Sequence, residues 1–240
     1  YRLMLSVIIP CFNEEKLVKN SLLEILKAIK LSKINKYEII FIDDGSEDRS
    51  CLIVERFRKN NKNIKIIKNK KNFGIGYNFF KGVQKSKEKY LIQIPADNSH
   101  PSIEISKILK LINNKYDLVT TYYSNNAERS YFRNMFTLVY TPFLNFIYGT
   151  NFPYFNGLTL YKTKDLKKLK FNNSSFSYQI EIFVYLFYKH KIKIKVVPTI
   201  LKDRKKGSKA FKLKNSILVI ISIFRIFIKS IFYRLSYFFN

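Results

Sequence analysis

Two kinds of apolar pattern alternate along the first half of this chain. Short continuous apolar runs occur in LSVIIP (5–10), YEIIFID (37–43), NIKIIKN (63–69), KYLIQI (89–94) and YDLVTTYY (116–123). Runs of this length and continuity predict strands buried on both faces. Between them the apolar residues recur at helical spacing, as Val18, Leu22, Ile25 and Ile29 do within 14–31. Further helices are expected after GSEDRS, with Ser46 as N-cap, over 74–86 and over 103–112. Strand and helix alternating in this way predict an α/β fold, a mostly parallel sheet with helices on both faces. After residue 123 the alternation breaks. A basic, aromatic helical stretch (129–148) leads to a strand in FNGLTLYK (155–162), a helix (176–190), a strand in IKIKVVPTI (192–200) and a basic loop (201–214). With no internal repeat and no Pro/Gly/Ser linker, the expected organisation is one domain over 1–210 and a C-terminal amphipathic helical tail over 211–240.

In such sheets ligands sit beyond the carboxyl ends of the strands. The polar loops fall there: PCFNEE after the first strand, DDGSED after the second, ADNSH after the fourth. Three acidic loops on one rim are the strongest physical signal in the sequence.

Composition narrows the partners more than the fold. The 240 residues suffice for a sizeable core, and 47% hydrophobic content excludes a disordered chain. Lys and Arg outnumber Asp and Glu 44 to 17, a net charge of +27, which suits anionic lipid, nucleic acid or phosphorylated substrates. A single-strand nucleic-acid binder would need stacking aromatics in a basic groove, and nothing in the sequence places them so. No nucleic-acid partner is expected. Cys11 and Cys51 form no metal or disulfide pattern, which points to a reducing cytosol. The chain enters a strand pattern almost at once, so no signal peptide is expected. The segment SILVIISIFRIFIKSIFYRLSYFF (216–239) is interrupted by Arg225, Lys229 and Arg234, so it does not read as a spanning helix. Arg225 and Lys229 stand four apart and share one helix face. Such a helix either lies in a membrane interface or packs on the protein's own core.

Several familiar motifs are absent. GIGYNF lacks the third glycine of a dinucleotide fingerprint, Phe79 standing there, and it follows the third strand instead of the first. There is no P-loop, and His100 and His190 are too few and too scattered for a zinc site. Asp43 and Asp44 end a strand before Gly45, where a carboxylate can accept hydrogen bonds from a base or a ribose. Helix capping by Asp44 and Ser46 is the plainer role, and one can cap while the other binds. In DRKKGSKAFKLK (203–214), Gly207 and Ser208 give a turn that can approach a phosphate, and Arg204 and Lys209 could neutralise a diphosphate.

Taken in order, SVIIPCFNEE (6–15), FIDDGSEDRS (41–50), NFGIGYNFFKG (72–82), PADNSHP (95–101), NGLTLYK (156–162), YQIEIFVYLFYKHKIKIKVVPTILKDR (178–204) and GSK (207–209) resemble the inverting family 2 glycosyltransferases. Within them they are most similar to the polyprenyl-phosphate, dolichol-phosphate-mannose-synthase-like branch. The resemblance implies a GT-A fold. It implies a nucleoside pocket lined by Pro10, Phe12, Glu14 and Asp43, with Asp44 beside it. Asp97 would match the second acidic residue of the metal-binding D-x-D and hold Mg2+ or Mn2+, with Asn98 adding a neutral oxygen. Arg204 and Lys209 would hold the diphosphate or the acceptor phosphate, and Arg129 and Arg133 are further phosphate candidates.

Pro95 stands where the first aspartate of that pair is expected. Magnesium is commonly held by one or two carboxylates together with water and substrate phosphates, so one aspartate can suffice. The expected partners are a nucleotide-sugar donor and either a polyprenyl phosphate or a saccharide hydroxyl as acceptor. A polyprenyl phosphate is already an anion and needs no general base. A hydroxyl needs one, and Glu181 is the best remaining carboxylate for it, with a structural role as its alternative. A lipid acceptor would place the protein peripherally on the cytoplasmic face of a membrane, with the 201–214 loop and the tail on an anionic surface. The remaining alternative is an inactive homologue serving as a membrane-associated partner.

Overall fold

The computed structural model of the protein describes residues 4–112, 115–124, 131–169, 177–189, 192–202 and 221–232. The strands are β1 (Met4–Cys11), β2 (Lys36–Asp43), β3 (Ile64–Lys68), β4 (Tyr90–Gln93), β5 (Leu118–Tyr123), β6 (Thr159–Lys162) and β7 (Ile194–Thr199). The helices are α1 (Val18–Leu31), α2 (Ser50–Asn60), α3 (Ile75–Lys85), α4 (Ser102–Leu109), α5 (Tyr131–Tyr148), α6 (Thr163–Lys167) and α7 (Tyr178–Lys189), followed by α8 over 221–232. All seven strands join one sheet in the order β3-β2-β1-β4-β6-β5-β7. Only β6 runs antiparallel, against both β4 and β5. The mostly parallel α/β sheet expected from the alternation is therefore present.

The continuous apolar runs fill two cores because successive strand residues point to opposite faces. In β1 and β2, Val7, Ile9, Ile39 and Phe41 enter the core under α1, α2 and α4. Their neighbours Ile8, Ile40 and Ile42 enter the core under α3, α5, α7 and α8. Strand β1 lies between β2 and β4, so the chain reverses its direction of travel across the sheet there. A crevice at the carboxyl ends of β1 and β4 is the expected ligand position for such topology.

Two local expectations are corrected. Helix α2 begins at Ser50, not near Ser46. Asp48 Oδ1 accepts the Ser50 N–H at 2.9 Å, while the Ser46 hydroxyl accepts the Asn13 N–H and Asp44 turns to another loop. The strand expected from 155 starts only at Thr159.

The described part of the tail is a packed helix. Ile226 of α8 is buried in the second core, and the Tyr148 hydroxyl donates to the Ile223 carbonyl at 3.0 Å. Arg225 and Lys229 share a face as their spacing requires, and that face turns onto Glu181. The stripe opposite buried Ser222, Ile226 and Ser230, formed by Ile221, Phe224, Ile228 and Ile231, is exposed. No described helix is long and apolar enough to cross a membrane.

Candidate active site

The loop after β1 and the loop after β2 are locked to each other by backbone and side-chain exchange. Asn13 adopts a left-handed conformation (φ 54°), which asparagine tolerates better than most residues. Its N–H donates to Ser46 Oγ at 3.0 Å, and its Oδ1 accepts the Glu47 N–H at 2.9 Å. The Glu14 and Glu15 amides donate to Ser50 Oγ and Asp48 Oδ2. Gly45 carries φ +77°, and a Cβ there would lie 2.8 Å from the Lys71 backbone. Glycine is what lets the β2 turn and the 69–72 segment touch.

Asp44 is deeply buried and holds that segment. It accepts the Phe73 N–H and the Asn69 amide on Oδ1, at 3.0 and 2.8 Å, and the Gly74 N–H on Oδ2 at 3.0 Å. Gly74 precedes the first turn of α3, so the carboxylate also sits favourably at a helix N-terminus. Asp43 has a different setting. Its Oδ1 accepts the Ser46 N–H at 3.0 Å, and it lines a cavity of about 580 Å³ with Phe12, Gly45, Cys51 and the lysines of the 68–71 run. Pro10 lies buried at the end of β1, and Glu14 is half-buried at the turn into α1. Pro10, Phe12, Glu14 and Asp43 thus converge on one end of the sheet, with Asp44 behind them. Burial pushes the Cys11 thiol up to about 12, against a lowering hydrogen bond with Ser50, and it pushes Cys51 up as well. Both are protonated at neutral pH and unsuited to metal ligation.

The lysines and Asn69 of the KNKKN run were not singled out from the sequence. They follow β3 on the same rim as the acidic loops, so the rim argument applied to β3 would have found them.

The loop after β4 carries Asp97 at the topological switch point. The Ala96 N–H donates to the Pro10 carbonyl, tying this loop to β1. Asp97 Oδ1 accepts both the N–H and the hydroxyl of Ser99, at 3.1 and 2.6 Å. Asn98 has φ 54°, and its Oδ1 accepts the Lys202 ammonium at 3.3 Å. A cation so close opposes use of that oxygen as a metal ligand. His100 is buried beside Tyr123. Desolvation lowers its pKa to about 4, against an opposing pull from Asp97, so the imidazole is neutral at physiological pH.

Among the described residues no group of three His, Cys, Asp or Glu could hold a metal. One half-buried carboxylate at a switch point does fit a hard divalent ion that arrives with a diphosphate, the phosphate oxygens supplying the other ligands. Arg204, Lys209 and Arg129 lie outside the described residues, and Arg133 falls in α5. The root of the basic loop is nevertheless placed. The Lys202 N–H donates to the Ser99 carbonyl at 2.9 Å, so Arg204 follows within two residues of a direct bond to the Asp97 loop.

Glu181 is 1% exposed, with Lys229 Nζ 2.6 Å from its Oε1. That setting supports its structural role over that of a base for a sugar hydroxyl.

Residues 6–170 match the family described as Glycosyl transferase family 2. The chain belongs to that family. An uncharacterized protein of Methanocaldococcus jannaschii is 33% identical over 178 residues, 69% of this chain and 75% of that protein. The undecaprenyl-phosphate 4-deoxy-4-formamido-L-arabinose transferase of Pectobacterium atrosepticum is 33% identical over 54% of this chain. The dolichol-phosphate mannosyltransferase of Saccharomyces cerevisiae is 29% identical over 49% of it. These matches span only 39% and 44% of the two lipid-phosphate transferases. Among solved structures, glucosyl-3-phosphoglycerate synthase from Mycobacterium tuberculosis, in complex with Mn2+, UDP and phosphoglyceric acid, superposes with a TM-score of 0.71. The superposition covers 95% of this chain and 78% of that one at 15% identity, a likeness of fold, here the GT-A fold. Family membership makes the protein a glycosyltransferase.

Proposed function

We propose that this family 2 glycosyltransferase moves a sugar from a nucleotide-sugar donor to a polyprenyl phosphate, with inversion at the anomeric carbon. The observation that carries the reading is the placement of Asp97 at the switch point between β1 and β4, in a loop bonded to the root of the Arg204 segment. The donor's nucleoside occupies the rim cavity, with Phe12 and Asp43 against the base and ribose and the 68–71 lysines toward the phosphates. Mg2+ or Mn2+ bound with the donor at Asp97 would offset charge on the departing nucleoside diphosphate. Solved neighbours of the same fold contain these ions.

One acceptor phosphate oxygen forms the new C–O bond from the face opposite the leaving group. The anomeric C–O bond to the diphosphate breaks, and its electron pair leaves with the nucleoside diphosphate. The acceptor is an anion already, so no proton must be removed. Arg204 and Lys209 need only hold the reacting phosphates in line, a matter of positioning and charge. This accords with a site whose spare carboxylate, Glu181, is buried in an ion pair.

The lipid acceptor draws support from the names of the relatives and from the outer helices. Helix α5 leaves Val139, Phe143 and Phe146 exposed, and α8 leaves Ile221, Phe224 and Ile228 exposed. These stripes, with the basic 201–214 segment, suit a peripheral position on the anionic cytoplasmic face of a membrane. In this reading 1–210 is the catalytic domain and 211–240 the interfacial tail.

The test is release of nucleoside diphosphate from a panel of nucleotide sugars with Mn2+ or Mg2+, with and without a short polyprenyl phosphate. Release is expected to require the lipid phosphate and to fall at least ~100-fold in Asp97→Ala. No release with any donor, together with no metal-dependent donor binding, would mean an inactive homologue.

A further inference from the structure

One side of α1 carries two polar side chains one turn apart, buried Ser21 and half-buried Glu24, and both reach the Asp97 loop. Ser21 Oγ donates to the Pro95 carbonyl at 3.1 Å, at the start of the loop. Glu24 Oε2 accepts the Ser102 N–H at 2.7 Å, at its end, where α4 begins. The other Glu24 oxygen takes the Lys202 ammonium, and that ammonium also reaches Asn98 Oδ1. Lys202 is bonded through its own N–H to Ser99, the residue that holds Asp97 Oδ1. Desolvation raises the Glu24 pKa, but hydrogen bonds from Lys202 and Ser102 outweigh it and bring the carboxyl down to about 2. The group is ionised at any working pH. On the other side, Glu104 Oε2 accepts the Ile200 N–H at 3.0 Å, pinning the end of β7.

We propose that Glu24 is a positioning residue which, through Lys202, holds the Asp97 loop in a fixed place against the segment that follows β7. The assignment rests on the proposed function for its catalytic consequence. In that chemistry the metal-side carboxylate must keep a set place against the donor diphosphate. The Asp97 loop follows β4 and Lys202 follows β7, two strands that do not pair in the sheet. Glu24 and Lys202 make the junction by a charge pair whose two ends are each further bonded. A site with one aspartate leans harder on such a junction, because a second carboxylate cannot compensate for drift of the first.

The experiment compares Glu24→Gln and Lys202→Met with Lys202→Arg, and with Asp117→Asn as a stability control. Asp117 accepts Lys162 and the Lys193 N–H at the amino-terminal side of β5, away from the rim. Glu24→Gln and Lys202→Met are expected to lower kcat by about 10–100-fold, as small misplacements do. Donor KM should stay within about threefold, because the nucleoside pocket is untouched. The Mn2+ concentration for half-activation should rise, and Lys202→Arg should recover most of the loss. Asp117→Asn should lower Tm without moving any of these. Amide exchange on the full chain gives a second readout that needs no turnover. The Ser99 amide, which Glu24 does not touch, should exchange faster in Glu24→Gln by about tenfold. An unchanged Ser99 amide, or a wild-type kcat accompanied by a fall in Tm, overturns the positioning role. Absence of turnover in the wild type with faster Ser99 exchange in the variant overturns the proposed function and leaves the clamp standing.

Discussion

Asp44 offers the sharpest test of how the wall of the rim cavity is held together. Its two oxygens take three donors, the Asn69 amide and the N–H groups of Phe73 and Gly74, and the side chain is almost fully buried. Asp44→Asn keeps one acceptor oxygen, which can still serve Asn69 and Phe73. The other oxygen becomes an NH2 group facing the Gly74 N–H, donor against donor. Flipping the amide is worse, since the NH2 would then face two donors. The substitution therefore removes one charge-assisted bond, weakens two more and leaves a buried N–H unpaired, a loss of about 2–3 kcal/mol. For a chain of this size that lowers Tm by roughly 5–10 °C. Equilibrium urea unfolding should show the same loss with an unchanged m-value. Because Asp44 holds the 69–74 segment that walls the cavity, donor affinity should weaken as well. An Asp44→Asn protein within about 0.5 kcal/mol of wild type would refute the account, since surface substitutions outside any such network do no more.

His100 makes stability depend on pH below neutrality. Its pKa is about 4 in the fold against 6.5 in the unfolded chain, so on acidification the unfolded state takes the proton first and stability falls from pH 6.5 toward 4. The full loss is about 3 kcal/mol, of which about 2 is gone by pH 5, and His100→Gln should flatten the Tm profile between pH 7 and 5. Replacing Phe146 and Phe224, both largely exposed, by Glu should weaken binding to anionic phospholipid vesicles by roughly 10–100-fold without lowering Tm. Unchanged vesicle binding would remove the two helices from the membrane reading. Pro95→Asp should lower the Mn2+ concentration for half-activation by about tenfold, and a rise instead would show that position 95 does not face the metal.

The first half of the fold was legible because burial on both faces leaves an unmistakable record. Every residue of β1 after Met4 is buried, and the sequence there is nearly unbroken apolar. The rim loops were legible by the same logic, since polar clusters between such runs have few other places to go. Other features were hidden for physical reasons. Helix α2 starts four residues beyond Ser46, and the Ser46 hydroxyl instead takes the N–H of Asn13, 33 residues away in sequence. Asp44 read equally as binder or cap, because a carboxylate's partners are set by which loop comes near, and its partners lie 25 to 30 residues on. The tail divided in the same way. Its pattern shows two faces, but only Glu181 on a distant helix decides which face the cations take.

The geometry around Pro95 bears on how the proposed site would work with one aspartate. The Ile94 and Ala96 N–H groups donate to Ile8 and Pro10 of β1, so the amide of residue 95 points the other way. At that level β6, which starts at Thr159 and pairs no farther along β4 than Ile92, has not yet begun, so no acceptor on β6 waits for it. A proline at 95 thus forfeits no ladder bond, while its fixed φ helps aim the turn. Ala96 is buried in the core under α1, which puts positions 95 and 97 on the opposite, open side. In the proposed site a rigid proline thus stands where a second metal-side carboxylate would be, and Asp97 lies on the same open side. Removing one negative charge also eases the approach of an anionic diphosphate. In the proposed site more of its neutralisation would then fall to Lys68, Lys70 and Lys71 around the cavity. A donor held more by lysines and less by metal should bind with a steeper salt dependence and a shallower metal dependence, and Pro95→Asp should move both back together.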